Sequence, residues 1–477
     1  MKIFYYFIIN IVSFILLFIN FFLLYIDRYF GEISFQQLIF HLNFSNNLLI
    51  NTDEYIIKKF FQICIYQPIL IILIINLVYF MSKIFRLYFF SKYVIIFFFI
   101  LSLIAVFNVK NSIKFGDINV DNNIDIIKDL YVNPKDINFN FENNKNLILI
   151  YMESFENIFK NEDLFEENLI EKISNYNKNS QEFKNFNQTT LTNWTIASIV
   201  ATHCALPLKN YGVFTFGERK GKHLRTLFGM DNFIPKAICL GDLLKSNGYK
   251  NIFVGSHNTN FSGTGKFFKS HGYNEVYGKE IYEKKNIKFH PGSWAEGPHD
   301  SFLFEFSKNK VEELTNLNQK FNITILTSDT HEPNGFHDPI CNHNDKIINS
   351  ALKCSSENLL KFIKFVKNKY NNEIRIVVLG DHLYRFGNDI TFDLPKNRSI
   401  FNKFFSNTPK KIMREDINHY DFFPTIIDFI DVKYEENKLG MGYSGFKEVN
   451  EKIYLNSLKK IRKHILNRSK FYESFWN

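Results

Sequence analysis

Three long apolar runs lie before residue 110, and the charged, asparagine-rich remainder of the 477-residue chain has none to match them. They are Phe4 to Tyr25, roughly Phe60 to Phe80, and Tyr93 to Val109. Each is close to the ~20 apolar residues that a helix needs to cross a bilayer core. The first run is too long for the apolar core of a signal peptide and lacks a small-residue cleavage site, so it reads as an uncleaved span. Three such runs in succession are rare in soluble cores. The chain therefore divides into a membrane domain of about three transmembrane helices over 1–110, a polar connector over 111–145, and one large domain over 146–477.

Positive charge gives the orientation. Lys2 precedes the first run, and Lys83, Arg86 and Lys92 stand between the second and third, whereas the 27–59 loop mixes acids with bases. The positive-inside rule puts the N-terminus and the 81–92 loop in the cytoplasm and the 33–50 segment outside. With three spans, everything after Val109 lies on the outer side. The net charge of +9 carries no arginine cluster and no aromatic-basic stripe, which argues against nucleic acid. It fits a solvated surface near anionic headgroups. Of five cysteines, Cys64 falls in the second run, while Cys204, Cys239, Cys341 and Cys354 lie in the large domain. Four cysteines in an oxidising compartment predict two disulfides, and no pair has the C-x-x-C spacing of a zinc site.

Beyond the connector, β-forming runs alternate with helical patterns. The expected strands are Leu147–Met152, Asn251–Gly255, Thr324–Thr327 and Arg375–Leu379; the expected helices are Trp194–Cys204, Leu240–Asn247, Glu357–Lys369 and Phe422–Ile430. Continuous apolar strands alternating with helices predict an α/β domain on a mixed, largely parallel sheet flanked by helices. In such sheets the ligand site lies off the carboxyl ends of the strands. Three of the strands run directly into acids or imidazoles: Glu153-Ser154-Phe155-Glu156, Ser328-Asp329-Thr330-His331-Glu332 and Gly380-Asp381-His382. Carboxylates and histidine gathered without a compensating cationic cluster suit a metal ion. In the stretch Thr190-Leu191-Thr192-Asn193-Trp194-Thr195 a threonine stands just before an apolar helix. Its hydroxyl is either an N-cap that satisfies a free backbone N–H or a nucleophile activated by the metal and the positive helix end.

The stretches Tyr151-Met152-Glu153-Ser154-Phe155-Glu156, Trp194 to Leu208, Ile238 to Asp242 and Phe268 to Tyr273 carry a further signal. So do Asp329 to Pro333, Cys341, Cys354 to Asn358 and Asp381-His382-Leu383. In this order, over about 145–445, they resemble the phosphoglycerol transferases that decorate periplasmic glucans. More broadly, the chain is similar to the alkaline-phosphatase/sulfatase superfamily branch that holds lipoteichoic acid synthases and phosphoethanolamine transferases. The resemblance implies a bacterial inner-membrane enzyme with a periplasmic sulfatase-like domain. It implies Glu153, Thr195, Asp381 and His382 as metal ligands, Thr195 as nucleophile, and His331 as the histidine that meets the transferred phosphate. It also implies the pairings Cys204–Cys239 and Cys341–Cys354. The metal would be manganese or magnesium by the phosphoglycerol branch and zinc by the phosphoethanolamine branch.

Two departures stand out. The glycine usual before the nucleophile is replaced by Leu191-Thr192-Asn193, which leaves Thr190 and Thr192 beside Thr195 as candidates. Lipoteichoic acid synthases use Trp and Arg in the region that here reads Phe261 to Lys266; only Lys266 offers a phosphate partner there, and Trp294, His299 and Asp300 form a second aromatic-polar cluster for a headgroup pocket. The expected reaction is phosphoglycerol transfer from phosphatidylglycerol to a periplasmic or surface glycan through a phosphothreonine. The alternatives are phosphoethanolamine transfer from phosphatidylethanolamine to lipopolysaccharide or another glycoconjugate, and a membrane-anchored binding protein without catalysis. The sulfatase signature C-x-P-x-R is not present around Thr195.

Overall fold

The computed structural model describes residues 2–30, 33–34, 54–84, 100–101, 104, 107, 113–114, 124–209, 232–332, 334–341, 346–370, 373–386 and 393–476. The chain forms two compact units, one holding the N-terminal helices and the other holding residues from 120 onward.

In the first unit, α1 (Lys2–Phe30) and the helical stretch α2 (Glu54–Phe60, Phe61–Tyr66 with one π turn, Gln67–Ile84) pack together. Each holds a segment long and apolar enough to cross a membrane, Phe7–Ile26 and Ile57–Met81. Phe18, Phe22 and Tyr25 of α1 meet the edge of the Phe60 ring, and Asn76 donates to Asn10 Oδ1 at 2.8 Å. Many side chains of α2 are exposed and apolar, such as Leu70, Leu73 and Leu77. In water that surface would be costly; in lipid it is ordinary. Of the third expected span over 93–109 only Ile100, Leu101, Ile104 and Phe107 are described, and the 81–92 loop beyond residue 84 and the 33–50 segment beyond residue 34 lie outside the described residues.

The second unit is built on a seven-stranded sheet. Its strands are β1 (Asn146–Met152), β2 (Ser180–Gln181), β3 (Lys250–Gly255), β4 (Glu275–Tyr277), β5 (Phe321–Leu326), β6 (Ile374–Gly380) and β7 (Asn402–Phe405). They lie in the order β2-β7-β6-β1-β5-β3-β4. The five from β6 to β4 are parallel; β7 runs antiparallel to β6, and β2 antiparallel to β7. β1, β5 and β6 are buried along almost their whole length, which is why they read as continuous apolar runs rather than alternating ones. Helices α3 (Thr195–Cys204), α4 (Leu240–Ser246), α5 (Thr264–Ser270), α6 (Asp300–Asn316), α7 (Ile347–Tyr370) and α8 (Phe422–Phe429) accompany the sheet. One large core joins Ile148, Ile150 and Met152 of β1 with Leu303 and Val311 of α6 and Leu359 and Ile363 of α7.

Register fixes the ends. Met152 of β1 is opposite Gly380 of β6, and Tyr151 is opposite Leu326 of β5. The residues that follow these three strands therefore emerge on one edge. A Cβ on Gly380 would stand 1.9 Å from the Phe155 carbonyl oxygen, so only glycine lets the segment after β1 fold across the end of β6. Residues 124–145 also fold onto this unit: Val132 bridges to Gly440 and Asn140 to Lys433.

Candidate active site

Glu153 follows β1 directly, and Ser154 behind it takes a left-handed turn with φ 51°. That turn aims the Ser154 N–H at Asp381 Oδ1, 2.7 Å away, and the His382 N–H reaches the same oxygen at 2.8 Å. Asp381 is thereby clamped through one oxygen, while its other oxygen, Oδ2, is buried with no hydrogen-bond partner. His382 Nδ1 bonds the Leu383 carbonyl at 3.0 Å, which leaves Nε2 3.4 Å from Glu153 Oε1 and 3.5 Å from Asp381 Oδ2. These separations are long for hydrogen bonds. They suit three ligand atoms around one cation, and a backbone-anchored second nitrogen is the usual companion of a metal-binding histidine. Glu153, Glu332 and His382 each offer an atom within 4.8 Å of the others. The donor set therefore fits a divalent metal.

The electrostatics agree with that arrangement. Burial pushes the Glu153 carboxyl up, but the adjacent His382 imidazole, the charge of His331 and the Ser154 hydroxyl outweigh it and bring the pKa down to about 2. Asp381 goes the other way, to about 7, because burial and the neighbouring Glu153 both disfavour its charge. Burial lowers His382, but Asp381, Glu153 and Glu332 together raise it to about 9.

Thr195 is the first residue of α3, and the N-cap position belongs to Trp194, whose side chain makes no capping bond. The Thr195 hydroxyl instead points at Glu153 Oε2, 3.3 Å away. Thr192 is engaged in its own turn, donating to the Thr189 carbonyl at 2.8 Å, and Thr190 presents its carbonyl to the Tyr420 hydroxyl at 3.1 Å. Of the three threonines, only the Thr195 hydroxyl has a described bond to the acidic cluster.

His331 anchors Nδ1 on the Glu332 carbonyl at 2.7 Å, and its ring stacks on Trp294 with centroids 5.1 Å apart. Trp294 also meets Phe261 at 5.0 Å. The segment leading to Lys266, on α5, thus borders the tryptophan. His299 is turned away into a buried pair with Asp329, Nδ1 to Oδ1 2.8 Å. Disulfides join Cys204 to Cys239 and Cys341 to Cys354. The first ties the last residue of α3 to the N-cap of α4.

Residues 145–432 match the sulfatase family profile. The chain belongs to the sulfatase family. Among its relatives, phosphoglycerol transferase I of Escherichia coli O127:H6 (strain E2348/69 / EPEC) is 31% identical over 331 residues, which cover 66% of this chain and 41% of that protein. Phosphoglycerol transferase I of Shigella boydii serotype 18 (strain CDC 3083-94 / BS512) gives the same figures. The chain spans about two fifths of the length of these curated relatives. The lipoteichoic acid synthase LtaP from Listeria monocytogenes shares the fold, with a TM-score of 0.50 at 15% identity, over 75% of this chain and 96% of that one. Within the sulfatase family this chain carries threonine, not the C-x-P-x-R cysteine, at the start of α3.

Three residues at this sulfatase-family site had no assigned role in the sequence reading. Glu332 is buried beside Glu153, accepts from the Ser154 hydroxyl, and pairs with Arg385 at 3.4 Å. Arg385 also donates to the Asn193 carbonyl at 2.8 Å, two residues before Thr195. His257 lies near enough to Glu153 and His331 to feel their charges, and burial brings its pKa down to about 4. It follows β3 just as Glu153 follows β1, so the same search of strand ends would have found it.

Proposed function

We propose that this chain transfers phosphoglycerol from phosphatidylglycerol to a periplasmic or cell-surface glycan. The observation that carries the proposal is the Thr195 hydroxyl held 3.3 Å from Glu153 at the N-terminus of α3. It is supported by the named phosphoglycerol transferase relatives. In this reading Thr195 Oγ attacks the donor phosphorus and gives its proton to a carboxylate of the cluster. The bond from phosphorus to the diacylglycerol oxygen breaks, leaving a phosphoglycerol diester on Thr195. His331, steadied by Trp294 and the Glu332 carbonyl, protonates the departing diacylglycerol oxygen. An acceptor hydroxyl then displaces Thr195 from phosphorus. The N-terminus of α3 supplies positive potential where oxyanion charge grows. Glu153, Asp381, His382 and Thr195 would hold a divalent ion, manganese or magnesium, which when bound supplies Lewis acidity toward the hydroxyl and the phosphoryl oxygens. Lys266 and Trp294 line the headgroup side. The N-terminal helices keep the domain at the bilayer surface where the donor resides, and a third span over 93–109 places it on the periplasmic side of the inner membrane.

The test is incubation of the purified chain with phosphatidylglycerol and manganese beside Thr195→Ala. Diacylglycerol release together with a mass increase on Thr195 supports the proposal. Release from phosphatidylethanolamine alone would replace the donor, and no release from either lipid with any divalent metal would overturn it.

A further inference from the structure

Outside the catalytic cluster the domain buries a second set of carboxylates. Asp300, Asp329 and Asp338 are each 2% exposed or less, and the one imidazole among them is His299. No lysine or arginine among the described residues forms an ion pair with any of the three acids; their one such partner is His299. Buried carboxylates without cationic partners are costly unless protons or a metal balance them.

Asp300 and Asp329 are held by the loop itself. Asp300 Oδ1 accepts from the Ser328 and Asp329 N–H groups at 2.8 and 3.2 Å, and Oδ2 from the Ser355 hydroxyl at 2.6 Å. Asp329 Oδ2 accepts from the Asp300 N–H at 2.9 Å, and Oδ1 meets His299 Nδ1. Asp338 differs. One of its oxygens accepts from the Ile340 N–H at 3.1 Å, but Oδ2 is buried with no partner at all. Nδ1 of His299 faces Asp329 Oδ1 directly, so an ion held between them would take the place of the proton they share. His299, Asp329 and Asp338 each offer an atom within 4.8 Å of the others. His299 and Asp338 also line a groove of about 560 Å³ between α6 and α7, whose walls include Phe302, Phe362 and Phe365. An ion therefore has a route in from solvent.

We infer that His299, Asp329 and Asp338 form a second divalent-cation site, separate from the cluster around Thr195. One imidazole with two carboxylates selects a manganese- or zinc-like ion over calcium, which prefers oxygen ligands alone. The ion would cross-link three pieces of chain: the turn before α6, the segment after β5, and the loop that leads to Cys341. Its role is to hold the loop bearing His331 from behind, two residues from Asp329.

The experiment counts ions on the full-length chain in detergent, stripped with chelator and reloaded with manganese or zinc alone. Wild type is expected to hold two ions per chain and Asp338→Asn one, with the thermal melting shift caused by the metal reduced in the variant. Glu153→Gln/Asp381→Asn, which removes the catalytic ligands, should still hold one. Equal stoichiometry in wild type and Asp338→Asn would overturn the site. Should Asp338→Asn not fold, the double variant decides: one retained ion supports the site, none overturns it. If the cluster around Thr195 holds no ion, wild type and the double variant will give the same count while wild type still exceeds Asp338→Asn, so the two readings fail separately.

Discussion

The hydroxyl of Thr195 stands 3.3 Å from Glu153 Oε2 although 42 residues separate them in the chain. The contact exists because β1 delivers Glu153 and α3 begins beside it with no side chain capping its first turn. Thr195→Ala should therefore lower diacylglycerol release by about 10³-fold or more, the scale seen when a nucleophile is removed. Thr195→Ser, which keeps the oxygen, should retain measurable turnover. Melting temperatures of both variants should match wild type, since the side chain is only half-buried.

Arg385 links Glu332 to the Asn193 carbonyl, bracing the loop that precedes Thr195. Arg385→Gln leaves the buried Glu332 facing Glu153 without its cation. Losing one charge-assisted hydrogen bond and stranding a carboxylate should cost about 2–3 kcal/mol of domain stability. Turnover should fall more than donor affinity, by about 10–100-fold, because loop position and not donor contact is lost. Thermal melting and separate kcat and KM values distinguish this from simple unfolding.

His203, buried in α3 between the Tyr151 and Tyr273 hydroxyls, has its pKa brought down to about 3 by burial. In the unfolded chain an imidazole titrates near 6.5. The unfolded state therefore binds the extra proton between about pH 6.5 and pH 3 while the folded state refuses it. Stability from this group is complete above 6.5 and falls as the pH drops through that window, by at most ~1.4 kcal/mol per pH unit. His203→Gln should flatten the loss of melting temperature between pH 6.5 and 4 relative to wild type. An unchanged slope would remove His203 from the acid sensitivity.

The two disulfides close loops of 35 and 13 residues. On the loop-entropy account each contributes about 3–4 kcal/mol, the longer loop slightly more. Cys204→Ser/Cys239→Ser should lower the melting temperature at least as far as Cys341→Ser/Cys354→Ser. It should also reduce turnover more, because Cys204 ends the helix that Thr195 begins.

Much of the domain was legible because a parallel sheet writes itself as unbroken apolar runs. All four expected strands occur, with ends displaced by at most three residues, and the acids and histidines that follow them meet on one edge. Other elements left weaker traces. Helix α6 buries Asp300 and the stripe Leu303, Phe304, Ser307, Val311 and Leu314 of a highly charged segment. Helix α7 starts ten residues before the expected Glu357, in a stretch of small and polar residues such as Ser350, Ser355 and Ser356 that are buried for packing rather than apolarity. Antiparallel β7 has four residues, too few to show a period. Glu332 was part of a quoted motif, but its place beside Glu153 depends on the tertiary path of the loop. Arg385 sits four residues past the last strand-end acid, where no periodicity reaches.

The register that sets Met152 opposite Gly380 and Tyr151 opposite Leu326 has one more consequence. Glu153, His331 and Asp381 come from distant parts of the chain and share a neighbourhood only when β1 lies between β5 and β6. A chain that has formed its helices but not this three-strand centre lacks both the acidic cluster and the contact between Thr195 and Glu153. On the proposed reading, turnover of a phosphodiester donor therefore requires this pairing, and would report that the three-strand centre has formed.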